Sequence, residues 1–192
     1  MLKIGIIAGT TRPNSKATAV SNWILEIAKA RPDVAWELVD ISTFKLPNLD
    51  EPMPPSMGNY AHEHTKKWSA KIASLDGYVF VTPEYNHSTS GALKNAIDFI
   101  YHEWTNKAAG FVSYGTTGGV RAVEHLRGIM AELQIADVRA HVSLSLYTDF
   151  ENFSAFKPGP AHPAQVNLML DQVVALGRAF QTLRAEQKSK AV

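Results

Sequence analysis

Short apolar runs alternate along this chain with longer segments in which hydrophobic residues recur every three or four positions. Lys3–Ala8 (KIGIIA) has the length and continuity of a buried strand. Ser15–Ala30 follows, with Val20, Trp23, Ile24, Ile27 and Ala28 on one face at helical spacing. Trp36–Ile41 predicts a second strand. Four of the ten prolines (Pro47, Pro52, Pro54, Pro55) fall between Phe44 and Gly58, which predicts a loop. His62–Leu75 predicts a helix burying Trp68, Ile72 and Leu75; Gly77–Thr82 (GYVFVT) predicts a third strand, and Pro83–Gly91 is polar. Leu93, Ala96, Ile97, Ile100 and Trp104 form the next helical stripe. Ala109–Ser113 is the fourth strand, and Val123, Leu126, Met130 and Leu133 mark another helix. From Ala140 to Leu146 the period becomes two, with Ala140, Val142, Leu144 and Leu146 set against His141, Ser143 and Ser145, the pattern of a half-exposed edge strand. After a loop with Pro158, Pro160 and Pro163, a last helix carries Val166, Met169, Leu170, Val173, Leu176, Phe180 and Leu183.

Five strands alternating with five helices imply parallel β-α-β units in a three-layer α/β sandwich, and without repeats or linkers the expectation is a single domain over 1–192. Hydrophobic residues make up 45% of the chain, enough for a sizeable core. Nineteen Lys and Arg against 18 Asp and Glu leave a net charge of +1, which offers no strong field for nucleic acid or an anionic membrane surface. The absence of cysteine removes disulfides, thiol nucleophiles, iron–sulfur clusters and Cys-ligated zinc together, and fits a reducing compartment. No apolar run approaches the ~18 residues of a membrane span, and Ile4–Ala8 is too short for a signal-peptide core. A cytoplasmic protein is expected.

In an open α/β sheet, ligands bind outside the carboxyl ends of the strands, where the strand order reverses. That directs attention to three turns rich in Gly, Ser, Thr and Asn. The first, Gly9–Ala17, leaves a strand and opens a helix, so free N–H groups and the helix dipole favour an anion there. Thr10 and Ser15 add hydroxyls and Arg12 a charged fork suited to phosphate. Both the nucleoside-triphosphate P-loop and the dinucleotide glycine pattern fail on this segment, and a hydroxyl-rich turn suits a single terminal phosphate better than a pyrophosphate. A plain helix cap by Asn14 or Ser15 is the competing reading. The second turn, Thr82–Asn95, offers backbone groups and the planar side chain of Tyr85 to a flat heteroaromatic ligand, against a loop in which Ser88 or Ser90 merely caps the next helix. Glu84 and His87 form only a weak acid–base candidate. The third, Ser113–Gly119, has glycines that permit close backbone approach to a ligand or simply make a tight turn. The histidines show no metal-ligand pattern: His62 and His64 are two apart, and Asp98 with His102 reads as an exposed polar pair. The four tryptophans fall mostly on apolar stripes, while Phe150, Phe153 and Phe156 crowd the late loop as core or as cover for a partner subunit.

Three motifs stand in order: Gly9-Thr10-Thr11-Arg12 with Ser15; Pro83-Glu84-Tyr85-Asn86 with Gly91 and Leu93-Lys94-Asn95-Ala96-Ile97-Asp98; and Gly118-Gly119 with Arg121-Ala122 and Leu126-Arg127. Over about Lys3 to Val142 the chain resembles the NADPH-dependent FMN reductase family, which includes quinone, chromate and azo-dye reductases. The resemblance implies a flavodoxin-like fold with a five-stranded parallel sheet of order 2-1-3-4-5. It implies that Thr10, Arg12, Ser15, Lys16 and Ala17 surround the FMN phosphate, that Pro83, Glu84, Tyr85 and Asn86 run along the isoalloxazine through backbone groups, and that Ser113 and Gly115 approach its other side. Two departures matter. Ala17 stands where many relatives have Asn, removing a donor, and Ser90 stands where Pro is usual, which predicts a more mobile loop.

What the resemblance implies chemically is a hydride passed from NADPH to bound FMN and electrons passed on to a small-molecule acceptor by a ping-pong mechanism. Quinone, azo compound, free flavin and metal oxyanion are all open as acceptor. The cofactor carries the chemistry, so flavin contacts rather than catalytic side chains are assigned. A homodimer or homotetramer is also implied. Two rivals stand beside this reading: a flavodoxin-type FMN electron carrier, whose relatives are generally strongly acidic, and a phosphate-binding α/β hydrolase, for which the chain has no Gly-x-Ser-x-Gly elbow.

Overall fold

In a computed structural model, which describes residues 1–190, the strands of the main sheet are β1 (Leu2–Ala8), β2 (Val34–Asp40), β3 (Gly77–Pro83), β4 (Lys107–Gly115) and β5 (Ile135–Ser145). The helices are α1 (Ala17–Ala28), α2 (Glu63–Ala73), α3 (Gly91–Asp98), α4 (Val120–Glu132) and α5 (His162–Lys190). All neighbouring strands are parallel and run in the order β2-β1-β3-β4-β5, as the flavodoxin-like expectation requires. Residues of α1 and α5 pack on one face of the sheet and residues of α2, α3 and α4 on the other. No helix among the described residues is long and apolar enough to cross a membrane.

Strand alternation sorts the two faces by chemistry. Ile4, Ile6, Val79, Val81, Val112 and Val142 point toward α1 and α5 and build a largely aliphatic layer. Ile7, Tyr78, Phe80 and Phe111 point the other way and meet Trp68 and Trp104 in an aromatic layer. There Phe80 stacks on Phe111 at 6.1 Å, and Trp104 sets its edge against Tyr78 at 5.0 Å. Both faces being buried is why the inner strands read as continuous apolar runs. β5 is at the sheet's edge, as its alternation predicts, with Val142 and Leu144 buried and His141, Ser143 and Ser145 half-buried.

Several boundaries differ from the sequence expectation, for identifiable reasons. α3 ends at Asp98 rather than running to Trp104; a 3₁₀ turn (His102–Trp104) then brings Trp104 into the aromatic layer, where its Nε1 donates to Ile97 O at 3.2 Å. Ile100 and Trp104 are buried in either arrangement, so periodicity does not separate the two. β5 begins at Ile135, ahead of the alternating stretch, because its register against β4 skips from Ala109↔Asp137 to Phe111↔His141. This bulge breaks the period of two. Arg127 donates to Val138 O (3.1 Å) and Arg139 O (3.3 Å), and Gln172 Oε1 accepts from Ala140 N–H, so the irregular backbone is satisfied. The late loop holds an antiparallel hairpin, β6 (Phe150–Glu151) with β7 (Ala155–Phe156); Phe150 is buried, Phe156 half-buried against Trp23, and Phe153 exposed.

His62 and His64 do not diverge as their spacing suggests. His62 precedes α2 in extended conformation, and the two rings stack at 5.2 Å, both beside Asp50. Asp98 pairs with Lys94, while His102 meets Ser56 O, so they form no pair with each other.

At the end of the sheet opposite the strand carboxyl ends, Lys107 is 5% exposed and its Nζ donates to Ile72 O at 2.8 Å, near the C-terminus of α2. Burial, helped by nearby Arg184 and opposed by Asp76 and Glu103, pushes its pKa down to about 7 from the ordinary 10.5. Above that value the folded protein releases a proton that the unfolded chain still holds, so stability rises with pH between the two pKa values. Denaturation measured from about pH 7 to about pH 10 is expected to show that rise, with a slope of at most about 1.4 kcal/mol per unit. Lys107→Met is expected to flatten it. Burial holds Tyr78 well above its ordinary value, so it titrates only above this window.

Candidate functional site

The strand order reverses around β1, which lies between β2 and β3, and the first two sequence-selected turns leave β1 and β3 side by side. Gly9 N–H still bonds Val81 O at 2.8 Å, and the chain then turns through Thr10–Lys16 into α1. Thr10 Oγ1 accepts from Arg12 N–H at 3.3 Å and lies 3.5 Å from the Tyr85 hydroxyl. The α1 N-cap residue is Lys16, which supplies no side-chain cap; Ser15 Oγ takes only the Ala17 N–H, at 3.1 Å. The helix therefore opens largely uncapped, with Arg12 exposed and without a side-chain partner among the described residues.

Beyond β3, Glu84 N–H donates to Tyr114 O at 2.9 Å and prolongs the ladder toward β4. Tyr85 and Ser88 then exchange backbone bonds of 2.9 and 3.1 Å around Asn86 and His87, both in the left-handed region (φ 48° and 72°). Two consecutive positive-φ residues make the tight turn usually given to Asn-Gly. The mobile loop expected from Ser90 is not what forms: Ser90 is 2% exposed, its hydroxyl donates to Gly9 O and accepts from Leu93 N–H, and it caps α3.

The third turn divides its glycines between two tasks. Gly118 and Gly119 adopt φ of 77° and 78°, and a Cβ on Gly119 would stand 2.7 Å from Ser113 Cβ, so this pair makes a tight turn. Gly115 faces the cleft, where a Cβ would meet Glu84 Cβ at 3.2 Å. Glu84 and His87 do not form an acid–base pair. Both are held by Arg121 on α4: its guanidinium meets Glu84 Oε1 at 2.5 Å, its N–H meets Glu84 Oε2 at 3.1 Å, and its Nη1 lies 3.1 Å from His87 Nδ1. Another bond reaches Thr117 Oγ1 at 2.7 Å. With its side chain 7% exposed, Glu84 is tied into the scaffold and offers the cleft chiefly its backbone.

A narrow cleft of about 100 Å³ opens between these turns. Of the residues selected from sequence, Arg12, Ser15, Lys16, Pro83, Glu84, Tyr85 and Gly115 line it. Thr10 and Ala17 sit behind it, buried; Asn86 lies in the adjoining tight turn; and Ser113 is buried beneath the third turn, its hydroxyl donating to Gly118 O at 2.7 Å. Asn14, Tyr114 and Leu146 line the cleft without having been selected. Period-two alternation was the available signal for Tyr114, since neighbours in β4 face opposite sides. Burial pushes the Tyr114 phenol well above the usual tyrosine value, against the opposing pull of Ser15, the Ala17 N–H and Arg12. A larger hollow of about 420 Å³ lies across Thr11, under the proline-rich loop. There the Asn95 side chain bonds both Pro47 O and Leu49 N–H, anchoring that loop to α3.

The sequence pattern of the NADPH-dependent FMN reductase family matches residues 2–149. The chain is 39% identical over 168 residues to an NAD(P)H-dependent FMN reductase of Nectria sp, covering 83% of each chain. It is 32% identical over 143 residues to a 2-hydroxy-1,4-benzoquinone reductase of Burkholderia sp, covering 70% of this chain and 73% of the relative. Among solved structures, FerB, a flavoenzyme NAD(P)H:(acceptor) oxidoreductase from Paracoccus denitrificans, superposes with a TM-score of 0.71 at 18% identity, over 95% of this chain and 98% of its own. That last likeness is one of fold.

Proposed function

Since this chain belongs to the NADPH-dependent FMN reductase family, we propose that it is a single-domain NAD(P)H oxidoreductase whose FMN sits in the cleft between Arg12, Tyr85 and Tyr114. The observation that carries this reading is the meeting, across one narrow cleft, of an uncapped helix N-terminus bearing Arg12 and Lys16 and a backbone-rich loop bearing a planar side chain. The residues fit the cofactor. Arg12, Ser15 and Lys16 provide hydroxyl and cationic donors for one terminal phosphate, with Thr10 and Ala17 behind them in the same turn. Pro83, Glu84, Tyr85 and Asn86 border the ring system from one loop, and Gly115 borders it from the other, on a turn that Ser113 braces.

When bound, FMN supplies the hydride acceptance and electron transfer that no side chain here performs. The protein's share is position: the Glu84–Arg121 pair holds the two loops in register, and the open side of the cleft admits NADPH and then the acceptor in turn, a ping-pong sequence. Quinones lead the acceptor class, supported by the name of the Burkholderia relative, with azo compounds, free flavin and metal oxyanions sharing the same open face. A cytoplasmic setting belongs to this reading, supported by the cysteine-free sequence.

Protein mixed with FMN and passed through gel filtration is expected to keep the flavin's visible absorbance, to bleach with anaerobic NADPH, and to recover its colour with quinone. Bound flavin that NADPH leaves coloured points instead to an electron carrier, and no retained flavin overturns the reading. The proposal extends to a homodimer or homotetramer. A groove of about 470 Å³ between α3 and α4, walled by Ile97, Ile100, Ile129 and Leu133, supports a second copy as its cover, with exposed Met53 and Met57 flanking Pro55 at its rim. A monomeric mass by light scattering would remove that extension.

A further inference from the structure

Among the described residues, Tyr114 is the only side chain of the cleft that buries a polar atom without a hydrogen-bond partner. The residue is 5% exposed, and its hydroxyl is out of contact with solvent. Nothing about packing calls for that oxygen. The ring lies against Phe150 at 6.0 Å within an otherwise apolar layer, which a phenylalanine would fill equally well. A buried hydroxyl with no partner destabilises the fold that contains it.

The surroundings of this hydroxyl point to an anion. Ser15 and the Ala17 N–H stand beside it only as donors, so the phenol's own proton has no acceptor among the described residues, and Arg12 and Lys16 line the same cleft. Neither of those two cations forms an ion pair among the described residues; the Lys16 ammonium rests 5.7 Å from the centre of the Phe150 ring. Lys16 thus packs on the same Phe150 ring that Tyr114 touches, which sets its ammonium beside the phenol at the cleft. The backbone of Tyr114 is held by the sheet, since it carries the last rungs of β4 and its carbonyl accepts the Glu84 N–H at 2.9 Å.

We propose that the Tyr114 hydroxyl donates a hydrogen bond to the phosphate of the bound flavin nucleotide and so helps the site select phosphorylated over unphosphorylated flavin. This rests on the FMN reading above. The raised pKa is consistent with the role, because the phenol keeps its proton and remains a donor throughout the neutral range.

The test is Tyr114→Phe, with dissociation constants for FMN and for riboflavin read from quenching of flavin fluorescence and the thermal midpoint read without ligand. FMN is expected to bind at least about tenfold more weakly, as for loss of a hydrogen bond to a charged group. Riboflavin affinity is expected to stay unchanged. Without ligand the variant should melt at the same temperature or higher, since it no longer buries a lone hydroxyl. Unchanged FMN affinity overturns the proposal, as does equal weakening of FMN and riboflavin, which would place the effect in ring packing. A wild-type protein that binds neither compound overturns the FMN reading itself, and is recognised before the variant is made.

Discussion

Replacing Arg121 with alanine is expected to cost about 1–3 kcal/mol of folding stability, between the loss of an exposed ion pair and that of a buried one. The loss stays below that of a fully buried pair because the Arg121 side chain is 38% exposed and because the backbone N–H at that position continues to hold one Glu84 oxygen. What remains is a carboxylate whose side chain is only 7% exposed, with its counter-ion gone. The loss is not confined to stability. Arg121 joins the Glu84–His87 loop to Thr117 and to the start of α4, so the two walls of the cleft lose their common tie and FMN affinity is expected to fall with it. Glu84→Gln combined with Arg121→Ala should recover part of the stability, because a neutral amide leaves no charge buried. Chemical denaturation of both variants decides the matter; an Arg121→Ala midpoint equal to the wild type would mean that the pair does not hold the loops.

Arg12→Ala should act on the ligand alone. Its guanidinium is exposed and has no protein partner among the described residues, so the free protein is expected to keep its midpoint. FMN binding is expected to weaken by about 1.5–3 kcal/mol, the range for a hydrogen bond to a charged group. Riboflavin, which carries no phosphate, should bind as before, and Arg12→Lys should restore only part of the loss because a point charge lacks the forked geometry. Titration of both flavins gives the answer. An FMN affinity untouched by Arg12→Ala would move the phosphate elsewhere. The contrast with Arg121 is instructive: two arginines near one cleft, one spent on the scaffold and one free for a ligand, distinguished only by what each side chain touches.

The architecture was legible because the inner strands are buried on both faces. That condition leaves continuous apolar runs such as Gly77–Thr82 between helical stripes, and the alternation in Ala140–Leu146 marks the edge. Legibility failed where buried side chains were compatible with two backbones. Trp104 occupies the aromatic layer although α3 has already ended at Asp98, and the bulge opposite Gly110 conceals the first half of β5. The positions of the three turns followed from strand ends and glycines, and all three turns border the cleft.

The sequence by itself determined the order of strands and helices, the family, and the segments that meet at the carboxyl ends of β1, β3 and β4. Tertiary structure alone decided which atoms of those segments face the cleft. Neighbouring residues of a strand point to opposite faces, so Ser113 braces the turn below Gly118 while Tyr114 turns its hydroxyl toward Ser15. Glu84 reads as an acid beside a histidine until α4 folds over it, when its carboxylate is taken by an arginine far along the chain. Local pattern records burial and period, whereas the availability of a side chain depends on partners brought near only by folding.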